Sequence, residues 1–254
     1  MSAMRCTVSL SEMILQLSGS RGSFALGFSY PELIGFAMKL LPAFLFEAYG
    51  GILLYRRFCT ASTYVFSRYP HRVKWYMGEV CRLGAAAGIF HILLLAGAAV
   101  TAACRYELQA DSGWLGLAVY HLLLHSLWAY SMALAVNLAA VYLGSSGAYG
   151  LVIGGQMVCI LLLRMADVLV RQFPDTFSHG KPLSHGKPLS HGMLLRWNPL
   201  ARLVLGWHGR EEGLLHQDLR VSLLVFLLLG GAVTALGAAI VKEHDFLAAD
   251  AESG

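Results

Sequence analysis

Three stretches of this chain carry no Asp, Glu, Lys or Arg: Leu83 to Cys104, Ser112 to Leu163 and Val221 to Val241. A helix crosses the hydrocarbon core of a bilayer with only about 20 such residues. The middle run is twice the necessary length, and lipid is the natural solvent for all three. Over 254 residues 57% are hydrophobic and 13% charged, whereas a soluble domain is about 25% charged. The expected fold is all-α: a polytopic transmembrane helical bundle, one membrane domain over residues 1–254. No charged, periodic stretch is long enough to form a separate catalytic domain.

Five clear spans are expected: Leu33–Tyr55, Gly84–Cys104, Leu115–Leu143, Ala148–Leu169 and Val221–Val241. The third and fourth share one uncharged tract, divided by a tight turn at Gly144-Ser-Ser-Gly147. Residues 1–32 offer a weaker first helix over Val8 to Phe28, spanning or amphipathic, interrupted by Arg21 and several Gly and Ser. They lack the compact apolar core and cleavage site of a signal peptide and are expected to be retained.

Orientation follows from charge. Residues 56–82 hold Arg56, Arg57, Arg68, Arg72, Lys74 and Arg82 against Glu79 alone, and the positive-inside rule puts this connector in the cytoplasm. Alternation then places the N-terminus and residues 105–113 outside, the Gly-Ser turn inside, residues 170–220 outside and the C-terminus inside. The 170–220 loop also has a basic excess, but long loops obey the rule poorly. It contains a hexapeptide, Ser178-His-Gly-Lys-Pro-Leu183, repeated from Ser184, which reads as a low-complexity polar spacer. Leu200, Leu203, Val204 and Trp207 then recur beside Arg202 and His208 at the spacing of a short amphipathic helix lying at the interface.

Several function classes drop out. Five cysteines without Cys-x-x-Cys spacing indicate neither a disulfide framework nor a thiol zinc site. A formal charge of +4, with the basic residues between apolar runs, points to membrane orientation and away from nucleic acid. The chain has no Gly-x-x-x-x-Gly-Lys-Ser/Thr phosphate cradle; Gly180-Lys181 and Gly186-Lys187 belong to the repeat. No cofactor or metal is expected on this chain.

Polar residues inside the spans are the remaining candidates. Glu47 lies deep in the first span, where a carboxylate costs a few kcal/mol unless it faces protein, water or a cation, or is protonated. It reads as a translocation-path residue or an interhelical hydrogen bond. Asn137 has the same two readings. His121 and His125 stand four apart with His91 on the preceding helix, and imidazoles so placed can ligate a metal or haem. Two histidines one turn apart on one helix would not straddle a haem, and ordinary hydrogen bonding is the plainer account; all three also count, with Glu47 and Asn137, as translocation-path candidates. Arg164 and Asp167, three apart, can form a structural ion pair on one helical face.

The basic connector carries more than charge. Tyr69, Trp75, Tyr76 and Met77 are mixed with Arg68, Arg72 and Lys74, a combination used in helix-in-groove docking, although Trp and Tyr gather at any membrane interface. Ser67-Arg-Tyr-Pro-His-Arg-Val-Lys-Trp-Tyr76 runs through Glu79 and Arg82 into the next span. A short inner turn lies between the two spans that follow, and an outer segment from Trp197-Asn-Pro-Leu200 through His216 precedes the last.

Together these landmarks resemble the membrane subunit of bacterial ABC-2 type exporters, the small permease class linked to peptide and lantibiotic export and immunity. The resemblance covers most of the chain and rests on layout. It implies a permease pairing with a second copy or homologue in the bacterial cytoplasmic membrane and exporting a peptide, lipid or hydrophobic compound. Separate ATPase subunits would hold ATP and Mg. They would be contacted by Arg68, Tyr69, Arg72, Lys74, Trp75, Tyr76, Glu79 and Arg82, and no catalytic residue would lie on this chain. The chain departs from the family at the front, where a full span would precede Leu33. Two competing readings are a membrane haem or metal redox protein using His91, His121 and His125, and a stand-alone immunity protein that sequesters a peptide in the membrane.

Overall fold

The computed structural model describes residues 7–18, 30–64, 72–172, 198–205, 208 and 219–243, and almost all of them are helical. In chain order the elements are β1 (Thr7–Ser9), α1 (Leu10–Ser18), α2 (Tyr30–Gly50), α3 (Leu53–Tyr64), α4 (Arg72–Arg105), β2 (Glu107–Gln109), α5 (Trp114–Gln172), a 3-10 turn (Pro199–Leu203) and α6 (Leu219–Glu243). Among the described residues four helical segments are long and apolar enough to cross a membrane: Ile34–Cys59, Arg72–Arg105, Trp114–Leu162 and Leu219–Lys242. The described residues thus form a largely helical structure of the kind a membrane protein has, in keeping with the uncharged runs.

Helix ends and lipid boundaries do not coincide. The second span was expected from Gly84, yet α4 begins at Arg72 and runs for 34 residues. At about 1.5 Å per residue it reaches about 51 Å, against about 30 Å of hydrocarbon. Arg72, Lys74 and Arg82 take the chain out of lipid without ending the helix. The connector 56–82 is therefore mostly the ends of α3 and α4 rather than a loop. Residues 65–71, among them Arg68 and Tyr69, lie outside the described residues.

α5 is 59 residues long and has a single break, at Gly144 (φ 68, ψ 173). That backbone region is essentially confined to glycine. A Cβ on Gly147 would lie 3.0 Å from the Leu143 Cβ, whereas side chains four apart on a helix are about 5–6 Å apart. The chain turns where the Gly-Ser motif predicts. Val136 and Ala140 before the turn share an apolar cluster with Ala148, Tyr149 and Val152 after it. α5 is thus two helical arms, 114–143 and 145–172.

For the N-terminal segment the sequence leaves a spanning and an amphipathic first helix open. Its described helix, α1, has nine residues and is about 14 Å long, too short to cross. Ser9 Oγ accepts from the Glu12 N–H at 3.1 Å, so Ser9 caps the start of α1. β1 pairs in parallel with β2, Thr7 opposite Glu107 and Ser9 opposite Gln109. Three residues are too few for a strand's alternation to show in sequence.

By contact the chain divides into two compact units. One comprises Met1–Leu41, Leu95–His121 and Gly155–Ser222, the other Pro42–Leu94, Leu122–Gly154 and Leu223–Gly254. In the first, Leu200, Ala201, Leu203, Val204 and Leu205 are all buried. The expected short helix is here a five-residue 3-10 turn that buries Leu200 and Leu203 and leaves Pro199 and Arg202 half-buried. Asn198 holds it, accepting from the Leu200 N–H at 3.0 Å and donating to the Cys159 carbonyl at 2.7 Å. The core of the second unit gathers Phe58, Tyr76, Leu83, Ala133, Leu138 and Val241. The hexapeptide repeat and Trp207 lie outside the described residues.

Candidate functional site

The second unit contains a break in its first membrane helix. α2 ends at Gly50 and α3 resumes at Leu53, so backbone groups are freed where lipid offers no water to satisfy them. Asn137 on α5 satisfies them. Its Oδ1 accepts from the Tyr55 N–H at 2.8 Å, and its Nδ2 donates to the carbonyls of Gly50 at 3.0 Å and Ala133 at 2.7 Å. The approach is close enough that a Cβ on Gly51 would meet Val136 Cγ1 at 2.9 Å. Glu47, one turn before the break, is fully buried. Two of the path candidates, Glu47 and Asn137, therefore flank one discontinuity, the feature around which transporters build midplane sites.

Below the break stands a charged group. The Glu79 carboxylate accepts from Arg57 Nη1 at 2.5 Å through Oε2 and from Arg82 Nη1 through Oε1. Glu79 is buried while the side chains of Arg57 and Arg82 are 46% and 72% exposed. Tyr76, fully buried, donates to the Thr234 carbonyl at 3.2 Å. The Tyr130 hydroxyl lies 2.5 Å from Thr234 Oγ1, which donates to the Gly230 carbonyl. Trp75 stands edge-on to Phe58, ring centroids 5.1 Å apart. Of the expected coupling residues, Tyr76 and Glu79 thus face the interior and Trp75 packs on α3, while Lys74 and Arg82 are exposed and Arg72 is half-buried. The signal was in the sequence: Tyr76, Val80, Leu83 and Ala87 follow helical spacing, which turns Lys74, Met77 and Arg82 outward.

Between α2/α3 and α4 the same unit holds a cavity of about 460 Å³, within the range of small-ligand sites. Phe46, Tyr49, Leu53, Ile89 and Leu93 give it apolar walls, and Arg57, Glu79 and Arg82 also line it. Nothing in the sequence marks it, because its walls are ordinary lipid-depth residues.

The histidines divide between the units. In the second, His91 Nδ1 lies 2.9 Å from the Ala87 carbonyl of its own helix, and its ring centroid is 6.1 Å from that of His125. In the first, His121 Nδ1 lies 2.6 Å from Ser18 Oγ. Among the described residues no three His, Cys, Asp or Glu side chains gather as a metal site. Arg164 and Asp167 ride on the helical backbone of α5, but their side chains lie outside the described residues. Also in the first unit, Asp111 faces the Ser11 hydroxyl and accepts from the Ser11 backbone N–H at 3.1 Å, contacts that hold its carboxyl below its ordinary value.

Comparison with family models, curated proteins and solved structures returns no match.

Proposed function

We propose that the chain is the membrane subunit of an ATP-driven exporter, powered by separate ATPase chains that dock on the basic end of α4. One observation carries this reading. The 34 residues of α4 exceed the bilayer by about 20 Å, and the protruding turns are fixed to the bundle through Trp75, Tyr76 and Glu79. A push on Lys74, Met77 or Arg82 would therefore enter the span as a rigid-body movement and would not be lost in a loop. The broken helix beside Glu47 supports the same reading, since discontinuous helices line transport sites. The two arms of α5 would each cross, making five spans.

The expected result is that the chain purifies from its native membrane with a stoichiometric ATP-hydrolysing partner. Lys74→Glu and Arg72→Glu then weaken the association at least about tenfold, while Tyr76→Phe, altered on the inward face, does not. Undiminished association of both charge variants would defeat the proposal, and so would a native complex free of ATPase.

A further inference from the structure

We propose that the cavity between α2/α3 and α4 holds an anionic phospholipid, with one acyl chain along the apolar groove and the phosphate on Arg57 and Arg82. This inference rests on membrane residence alone and does not depend on an ATPase.

The groove has the dimensions of a lipid. Arg57 and Phe46 on one wall, and Arg82 and Leu93 on the other, are each about eleven positions apart, or about 16 Å along a helix. That is about the depth of one leaflet of a 30 Å core. Phe46 meets Phe90 across the two walls, ring centroids 5.4 Å apart. Tyr49, Ile89 and Leu93 are 80%, 59% and 66% exposed, surfaces that hydrocarbon would cover at this depth.

Among the described residues the charge at the mouth is not balanced. Arg57 and Arg82 share the one Glu79 carboxylate and each gives it one N–H. A guanidinium has five donors, so most of them, and one net positive charge, face outward. A lipid phosphate matches that fork geometry, and basic pockets between transmembrane helices are where anionic headgroups bind. A zwitterionic lipid brings its own cation to the same place and gains less.

The test is native mass spectrometry of the purified full chain, titrated with phosphatidylglycerol and with phosphatidylcholine of the same acyl chains. We expect one phosphatidylglycerol retained per chain, with a preference of about fivefold or more, the effect of one basic side chain at a membrane surface. Replacing Arg57, Glu79 and Arg82 together by Gln removes the charge without stranding a buried carboxylate, and the preference falls to about one. Arg82→Gln alone, which keeps the Arg57 bridge, lowers it in the same direction and serves where the triple variant does not fold. Ala86→Trp fills the groove, whose lining includes Ala86, and reduces retention of both lipids. Equal retention of the two lipids by the unmodified chain overturns the proposal, as does an unchanged preference in the Gln variants. A shift in oligomeric state with Ala86→Trp at undiminished lipid retention assigns the groove to a second copy of the chain and also overturns it.

Discussion

Arg57, Glu79 and Arg82 show how burial decides the worth of a charge. Glu79 is the one member taken out of solvent, and it has two partners that keep much of their hydration. Losing either arginine leaves the carboxylate paired, so Arg57→Gln or Arg82→Gln alone should lower stability by less than about 1 kcal/mol, the usual scale for an exposed pair. Losing both strands a buried carboxylate, at a cost of about 3 kcal/mol or more. Unfolding midpoints of the two single variants and the double variant in detergent would form the cycle. Additivity would show that the arginines act independently and that Glu79 is not the centre of the group. The charges are plain in the sequence, but their pairing is not. Arg82 lies one helical turn from Glu79 and could be inferred, whereas Arg57 reaches Glu79 from another helix, and nothing local encodes that.

At the scale of elements, legibility depended on whether the signal was chemical or geometric. The turn at Gly144 was readable because a Gly-Ser-Ser-Gly stretch interrupts an otherwise uniform apolar tract, and its dihedral angles explain why the first residue is glycine. Gly144→Ala should cost about 1–3 kcal/mol, the strain of a side chain in that backbone region. Gly150→Ala, in open surroundings on the following arm, should stabilise slightly or do nothing. Thermal melts of the two variants make the comparison, and equal midpoints would mean that the turn relaxes into a conformation other amino acids accept. The start of α4 was not readable in the same way, since hydropathy reports where Arg72 to Arg82 leave the lipid and says nothing about whether the backbone hydrogen bonds continue. The break at Gly51 was hidden for a further reason. Its stabiliser, Asn137, is remote in the chain, and an isolated Asn in a span is equally at home in any interhelical contact.

For the whole molecule, the parity of membrane crossings fixes which side each end occupies. β1 is hydrogen-bonded to β2, directly after α4, so the N-terminal segment shares a side with that end of α4. If α5 crosses twice through its arms, the crossings number five and the far end of α6 lies on the opposite side. If α5 crosses once, they number four and both ends share a side. Single-cysteine chains decide between these. Cys104 is exposed near one end of α4, position 74 stands about 45 Å away along the same helix, and Lys242 is exposed at the end of α6. In intact cells a membrane-impermeant maleimide should modify Cys104, and should reach Lys74→Cys and Lys242→Cys only after permeabilisation. Labelling of Lys242→Cys together with Cys104 would reduce α5 to one crossing while sparing the orientation of α4. Labelling of Lys74→Cys from outside would invert the molecule, and the basic end of α4 would then face a compartment where no ATPase can draw on cytoplasmic ATP.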